Sequence, residues 1–278
     1  MSDTNDARTE SGLDAQTQRK IVRERYASIA TEESGQEGGC CSNDESRCSP
    51  VETTARQLGY SETELESVDG DANLGLGCGN PRAIASLSAG ESVLDLGSGA
   101  GFDCFLAARE VGETGRVIGV DMTPEMVEKA RANADQNDAE NVEFRLGEIE
   151  HLPVADERID VVISNCVVNL SPDKPQVFNE AFRVLRPDGR LAISDVVLTA
   201  EVPDELRADP DSVVSCVAGA STIDRLEAML TDAGFEAVDI SPKDGSEAFI
   251  RDWDDEYDVS EFLVSASITA RKPEVADE

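Results

Sequence analysis

Seven cysteines carry the most distinctive chemistry in this 278-residue chain: Cys40, Cys41, Cys48, Cys78, Cys104, Cys166 and Cys216. Three of them stand alone, Cys78 in L-G-C-G-N-P (76–81), Cys166 in S-N-C-V-V-N-L (164–170) and Cys216 in C-V-A-G-A (216–220). Structural zinc usually takes its ligands in close C-x-x-C pairs, so three single thiols gathered at one edge of a sheet would suit a three-coordinate, sulfur-loving centre better. The alternative is that each is a small buried hydrophobe. An odd number of cysteines behind Met1-Ser2-Asp3-Thr4-Asn5-Asp6, which is neither basic nor apolar, argues against an export signal and a disulfide framework.

The second constellation is Val93-Leu94-Asp95-Leu96-Gly97-Ser98-Gly99-Ala100-Gly101, a strand entering a glycine-rich turn and then a helix. Such a turn lets the backbone approach a ligand closely at the carboxyl edge of an α/β sheet. The dinucleotide pattern G-x-G-x-x-G is not met, because Phe102 holds its sixth position and Asp95 stands two residues before the first glycine. A carboxylate there repels a pyrophosphate and attracts the ammonium of a methionine moiety. Asp121 lies twenty residues beyond Gly101, placed to accept from both ribose hydroxyls of a nucleoside. Gly147-Glu148-Ile149 ends the next strand, from which Glu148 and Ile149 reach toward an adenine. Ser98, Met122 and Asn165 complete the candidate cofactor set. His151 reads as exposed, Trp253 as the anchor of a short helix, and Cys104 as packing within a helix.

The elements that must position these residues follow from periodicity. Val22, Tyr26 and Ile29 recur at helical spacing and predict an amphipathic helix over about 15–33, followed by a Gly, Ser and acid-rich loop to Pro50 that carries three cysteines. Ser61-Glu62-Thr63-Glu64 is a capping box opening a short helix. Asn80-Pro81 predicts a helix ending at Gly90. Beyond it, strands at 92–96, 116–121, 142–146, 159–164 and 191–198 alternate with helices at 102–111, 124–136 and 174–185. Apolar strands alternating with amphipathic helices imply a parallel sheet covered on both faces. After an irregular stretch at 200–221, a helix at 223–232, a strand at 236–240, a short helix at 246–253 and a strand at 262–270 close the chain, the last two strands forming an antiparallel edge pair. The expected architecture is α/β, a doubly wound, mostly parallel, seven-stranded sheet over residues 71–278, preceded by a helical, cysteine-bearing arm over 1–70.

Subtracting 58 acids from 24 bases gives a net charge of −34. A phosphate backbone or an anionic membrane surface is an unsuitable partner for such a chain. No apolar run approaches a membrane span, so the expectation is a soluble, cytoplasmic protein. Acid spread over the whole chain, with only five lysines among the bases, has the look of a halophile's solvated surface, whose self-repulsion is screened at molar salt, where the Debye length is about 3 Å.

The Asp95 turn, Asp121 and Glu148 together resemble class I S-adenosylmethionine methyltransferases, with their Rossmann-like sheet. The L-G-C-G-N-P, S-N-C-V-x-N-L and C-x-x-G-A segments, with the N-terminal cysteines, are similar to the arsenite methyltransferases among them. That resemblance implies S-adenosyl-L-methionine as cofactor and arsenite or its thiol conjugates as substrate, with As(III) held by Cys78, Cys166 and Cys216. It also implies a redox partner for Cys78 among Cys40, Cys41 and Cys48, Cys41 being preferred, and a thiol reductant such as thioredoxin or a small thiol. The stretch 200–221 becomes an arsenic-site insertion, and the implied purpose is arsenic detoxification.

Three thiolates on As(III) give a neutral pyramidal centre whose lone pair faces away from the sulfurs, so methylation requires no general base. Orienting arsenic and methyl in line is worth at most about 7 to 11 kcal/mol. Acidity of the whole chain opposes thiolate formation. Two other readings stand beside this one: a methyltransferase of an organic small molecule in which the cysteines only pack, and a thiol-based metalloid-binding protein without turnover.

Overall fold

The computed structural model describes residues 12–31, 50–203, 216–253 and 257–274. Among them, strands β1 (Ser92–Leu96), β2 (Arg116–Asp121), β3 (Val142–Leu146), β4 (Ile159–Asn165) and β5 (Leu185–Leu198) are mutually parallel, in the order β3-β2-β1-β4-β5. A two-residue strand, β6 (Ser221–Thr222), pairs with the end of β5, and β7 (Glu236–Pro242) and β8 (Leu263–Arg271) close the sheet as an antiparallel pair beside β5. The sheet therefore has eight strands rather than the seven expected, β6 being too short to leave a periodic signature.

Alternate residues of the same strands feed two separate cores. Leu94, Val162 and Ile193 pack in one cluster, while Val93, Ile163 and Ala192 pack in another, as strand geometry requires of a sheet buried on both faces. The covering helices include α5 (Phe102–Val111), α6 (Pro124–Gln136), α7 (Lys174–Val184) and α8 (Ile223–Asp232). Before the sheet come α1 (Ala15–Thr31), α2 (Pro50–Gln57), α3 (Glu62–Ser67) and α4 (Arg82–Ala85), and a short α9 (Glu247–Ile250) lies between β7 and β8. The capping box is present: the Glu64 backbone N–H donates to Ser61 Oγ at 3.3 Å and the Ser61 N–H to Glu64 Oε2 at 2.6 Å.

Two expectations need correction. The helix expected from Asn80-Pro81 to Gly90 stops at Ala85, because Ser86 turns left-handed at φ 50° and the Arg190 guanidinium takes the freed carbonyls of Ala85 and Ser86 at 2.6 and 2.8 Å. The strand expected at 191–198 begins earlier, at Leu185, and takes in the Arg186–Gly189 stretch. That stretch is an irregularity of register against β4, with Asp188 at φ 63°.

Candidate active site

In this strand order the chain switches direction between β1 and β4, the position where open α/β sheets bind ligands beyond their carboxyl ends. A cavity of about 610 Å³ opens there. Asp95, Gly97, Ser98, Gly99, Asp121 and Met122 line one part of it, with Ile149 and Asn165. Gly97 holds φ 68°, and a Cβ on it would come within 2.4 Å of the Val167 side chain. Gly99 holds φ 51° with nothing near its missing Cβ, so that stretch of backbone is bare to an incoming group. Gly101 begins α5.

Asp121 is fixed by two backbone donors, Gly99 N–H at 3.0 Å and Thr123 N–H at 2.8 Å. Burial pushes its carboxyl above the ordinary range, and those two N–H groups pull the other way. Asp95 is raised further, by burial and then by the neighbouring Asp103 carboxylate, while the Cys104 thiol donates to Asp95 Oδ2 at 3.3 Å. Cys104 thus orients a cavity carboxylate as well as packing. Ser98 Oγ is buried without a hydrogen-bond partner among the described residues. An unpaired hydroxyl, a bare glycine backbone and buried carboxylates facing one cavity fit a cationic nucleoside such as S-adenosylmethionine.

Glu148 is not among the residues lining the cavity. Its carboxylate meets Arg19 at 3.5 Å and Arg23 at 3.7 Å on α1, and the glutamate that lines the cavity is Glu150. A further network was not anticipated from sequence. The Tyr60 hydroxyl donates to Asp103 at 2.8 Å, and the Asn165 amide donates to the Gly79 carbonyl at 2.8 Å. Tyr60, Asp103 and Asn165 all line the cavity.

The three single cysteines converge at the other end. Cys78, Cys166 and Cys216 are buried in one apolar cluster with Val22, Val196, Ile250 and Leu263. The Cys78 and Cys166 sulfurs and a carboxylate oxygen of Asp195 all lie within 4.8 Å of one another. Cys216 Sγ donates to the Cys166 carbonyl at 3.1 Å, Cys78 Sγ donates to the Ser194 carbonyl at 3.3 Å, and the Cys166 thiol is in hydrogen-bond contact with both other thiols. Contact with Cys216 and then Cys78, added to burial, pushes the Cys166 thiol well above its usual value, and burial raises Cys78. Cys166 and Cys216 also line the cavity, so thiols and cofactor pocket share one space.

Asp195 went unnoticed in the sequence, although an acid inside the apolar run Leu191–Leu198 signals a buried partner. Burial raises its carboxyl to about 6, against hydrogen bonds from Val196 N–H and Asn169. His151 is exposed, and Trp253 packs on Phe249 at 6.0 Å while also lining the cavity. Cys40, Cys41 and Cys48 lie outside the described residues.

Residues 87–234 match the model of a methyltransferase domain family. An arsenite methyltransferase of Halobacterium salinarum is 62% identical over 272 residues, covering 94% of this chain and 68% of that protein. The human arsenite methyltransferase is 43% identical over 152 residues, 51% of this chain and 40% of that one. Among solved structures, an arsenic(III) S-adenosylmethionine methyltransferase from Chlamydomonas reinhardtii is similar at 35% identity and TM-score 0.57, over 84% of this chain and 76% of that one. With a class I methyltransferase sheet, a matching domain and a relative this similar over nearly the whole of this chain, the chain belongs to the arsenite methyltransferase family.

Proposed function

We propose that this protein methylates trivalent arsenic, with Cys78, Cys166 and Cys216 as the thiols that hold it. The observation that supports this most is the meeting of three sequence-distant cysteines in one buried cluster, two of which, Cys166 and Cys216, line the cofactor cavity. S-adenosylmethionine, when bound, supplies an electrophilic methyl carbon for which the arsenic lone pair is the nucleophile. Asp95 would hold the ammonium of that cofactor and Asp121 its ribose hydroxyls, with Ser98 and the Gly99 backbone against it. The apolar shell of Val22, Val196 and Leu263 keeps water from the thiols.

Arsenite arrives as a neutral trihydroxide. Each thiol that bonds to arsenic surrenders its proton to a departing hydroxide as water, so raised thiol pKa values are compatible with capture of this substrate. Among the described residues Cys78, Cys104, Cys166 and Cys216 are free, which fits a reducing compartment, and a cytoplasmic location is part of the proposal. An external thiol reductant, working with one of Cys40, Cys41 or Cys48, is the proposed route of regeneration.

The test is mass spectrometry of products after incubating the full chain with methyl-labelled cofactor and arsenite at high salt. Labelled methylarsenicals are expected, and single Cys→Ser changes at 78, 166 or 216 should reduce them by at least about a hundredfold. Undiminished turnover in all three variants would remove the ligand assignment.

A further inference from the structure

Asp195 has no part in a trithiolate arsenic site, yet it lies among the ligand-type atoms of that cluster. Its Oδ1 accepts from Asn169 Nδ2 and Val196 N–H, each at 2.8 Å, while Oδ2 accepts from the Asn169 N–H only at 3.3 Å, and a carboxylate oxygen lies within 4.8 Å of both the Cys78 and the Cys166 sulfur. The Cys216 sulfur falls outside the mutual 4.8 Å spacing that Cys78, Cys166 and Asp195 satisfy. The cluster therefore divides into two overlapping donor sets. One has three sulfurs, Cys78, Cys166 and Cys216; the other has two sulfurs and an oxygen, Cys78, Cys166 and Asp195.

These sets suit different guests. As(III) forms covalent bonds to thiolates and gains nothing from a carboxylate that water displaces. A divalent d¹⁰ cation of the zinc class accepts mixed thiolate and carboxylate ligands, at about 2.3 Å to sulfur and 2.0 to 2.2 Å to oxygen, and tolerates a fourth position held by solvent. We infer that Cys78, Cys166 and Asp195 form a binding site for a zinc-class divalent cation, which shares two thiols with arsenite and excludes it. The site itself stands on the observed cluster, while the competition rests on the function proposed above.

The balance is simple: the cation displaces two thiol protons to solvent and binds two thiolates and one carboxylate, leaving the centre with one negative charge. Lys243 is placed to offset it. Its ammonium donates to Ser194 Oγ at 2.9 Å, is half-buried, and lies near enough to Cys78 and Cys166 for their charges to act on it. The neutral arsenic centre needs no such counter-charge.

The experiment uses the full chain carrying C40S, C41S and C48S, so that those thiols do not compete, loaded with zinc chloride. X-ray absorption at the zinc edge should show two sulfurs near 2.3 Å and a light-atom shell near 2.0 to 2.2 Å. Three or more sulfurs, or no stoichiometric zinc, would overturn the proposal. Zinc affinity by chelator competition and arsenite retention by dialysis are then compared in two variants whose fold is checked by circular dichroism. Asp195→Asn should weaken zinc by more than about tenfold and leave arsenite retention within about twofold. Cys216→Ser should do the reverse. Zinc binding unchanged by Asp195→Asn counts against the site. Arsenite retention unchanged by Cys216→Ser counts against the arsenic ligand set alone. Where Asp195→Asn does not fold, the absorption spectrum of the parent chain decides.

Discussion

The Cys216 thiol donates to the main-chain carbonyl of Cys166 at 3.1 Å, and both residues sit in the left-handed region, at φ 66° and 57°. A residue with a Cβ held there costs on the order of 1 to 3 kcal/mol, and two such residues in contact at one cavity wall point to positions retained for their sulfur. Glycine adopts this conformation freely but gives up the packed thiol, two effects of similar size and opposite sign. Cys216→Gly should therefore unfold within about 2 kcal/mol of the parent in denaturant titration while losing arsenite-dependent methyl transfer. Cys216→Val, β-branched at the same φ, should be clearly less stable than Cys216→Gly. Equal stability of the two would show that the backbone is not strained there.

Burial raises Asp95, Asp103 and Asp121 in the ligand-free protein, Asp95 most, because Asp103 adds its charge to the effect. A carboxyl raised on folding stabilises the fold most when protonated, so this part of the stability is present at low pH and fades as pH rises through the raised values. A cationic cofactor reverses the preference by favouring the carboxylates. Its affinity should climb with pH up to those values and then level off, with protons released on binding. Calorimetry in two buffers of different ionisation enthalpy measures that release. Proton uptake, or affinity flat from about pH 4 to 7, would mean that these acids do not face the cofactor's charge.

How much of this was legible in the sequence depended on whether the signal was local. Helix α6 and strands β1 to β3 lie at their expected residues, since periodicity, Thr123-Pro124 and glycine turns act over a few positions. The end of α4 was not legible, because Arg190, about a hundred residues away, takes the carbonyls that allow the chain to turn. The same distinction separates the site residues. Asp95 and Asp121 declare themselves by spacing to glycines. The pairing of Glu148 with α1 and the approach of Asp195 to Cys166 are products of tertiary packing and leave only the weak mark of an acid in an apolar strand.

Net charge of −34 predicts salt-dependent stability. At about 0.1 M salt the Debye length is near 10 Å, and it falls to near 3 Å at 1 M, so repulsion between surface acids is mostly removed while buried contacts are untouched. The circular-dichroism melting temperature should rise substantially between about 0.1 M and 2 M KCl. An unchanged melt would mean that the acid excess does not limit stability.

Helix α1 packs over the cofactor cavity with Val22, Tyr26 and Ile29 toward it. The Gln18 amide donates to the Leu170 carbonyl at 3.0 Å in a buried position, and Arg19 meets Glu148 at 3.5 Å and Glu150 at 3.4 Å. Removing Gln18 leaves a buried carbonyl unsatisfied, at about 1 to 3 kcal/mol, whereas the Arg19–Glu148 pair, partly exposed on both sides, is worth about 1 kcal/mol or less and is screened by salt. Because α1 lies outside the sheet, loosening it should open the cavity without unfolding the domain. Gln18→Ala should speed cofactor dissociation by about five- to a hundredfold in stopped-flow measurements at any salt. Arg19→Gln should do so only several-fold, and less at high salt than at low. A lower melting temperature with unchanged cofactor release in both variants would make α1 an integral part of the core rather than a cover over the site.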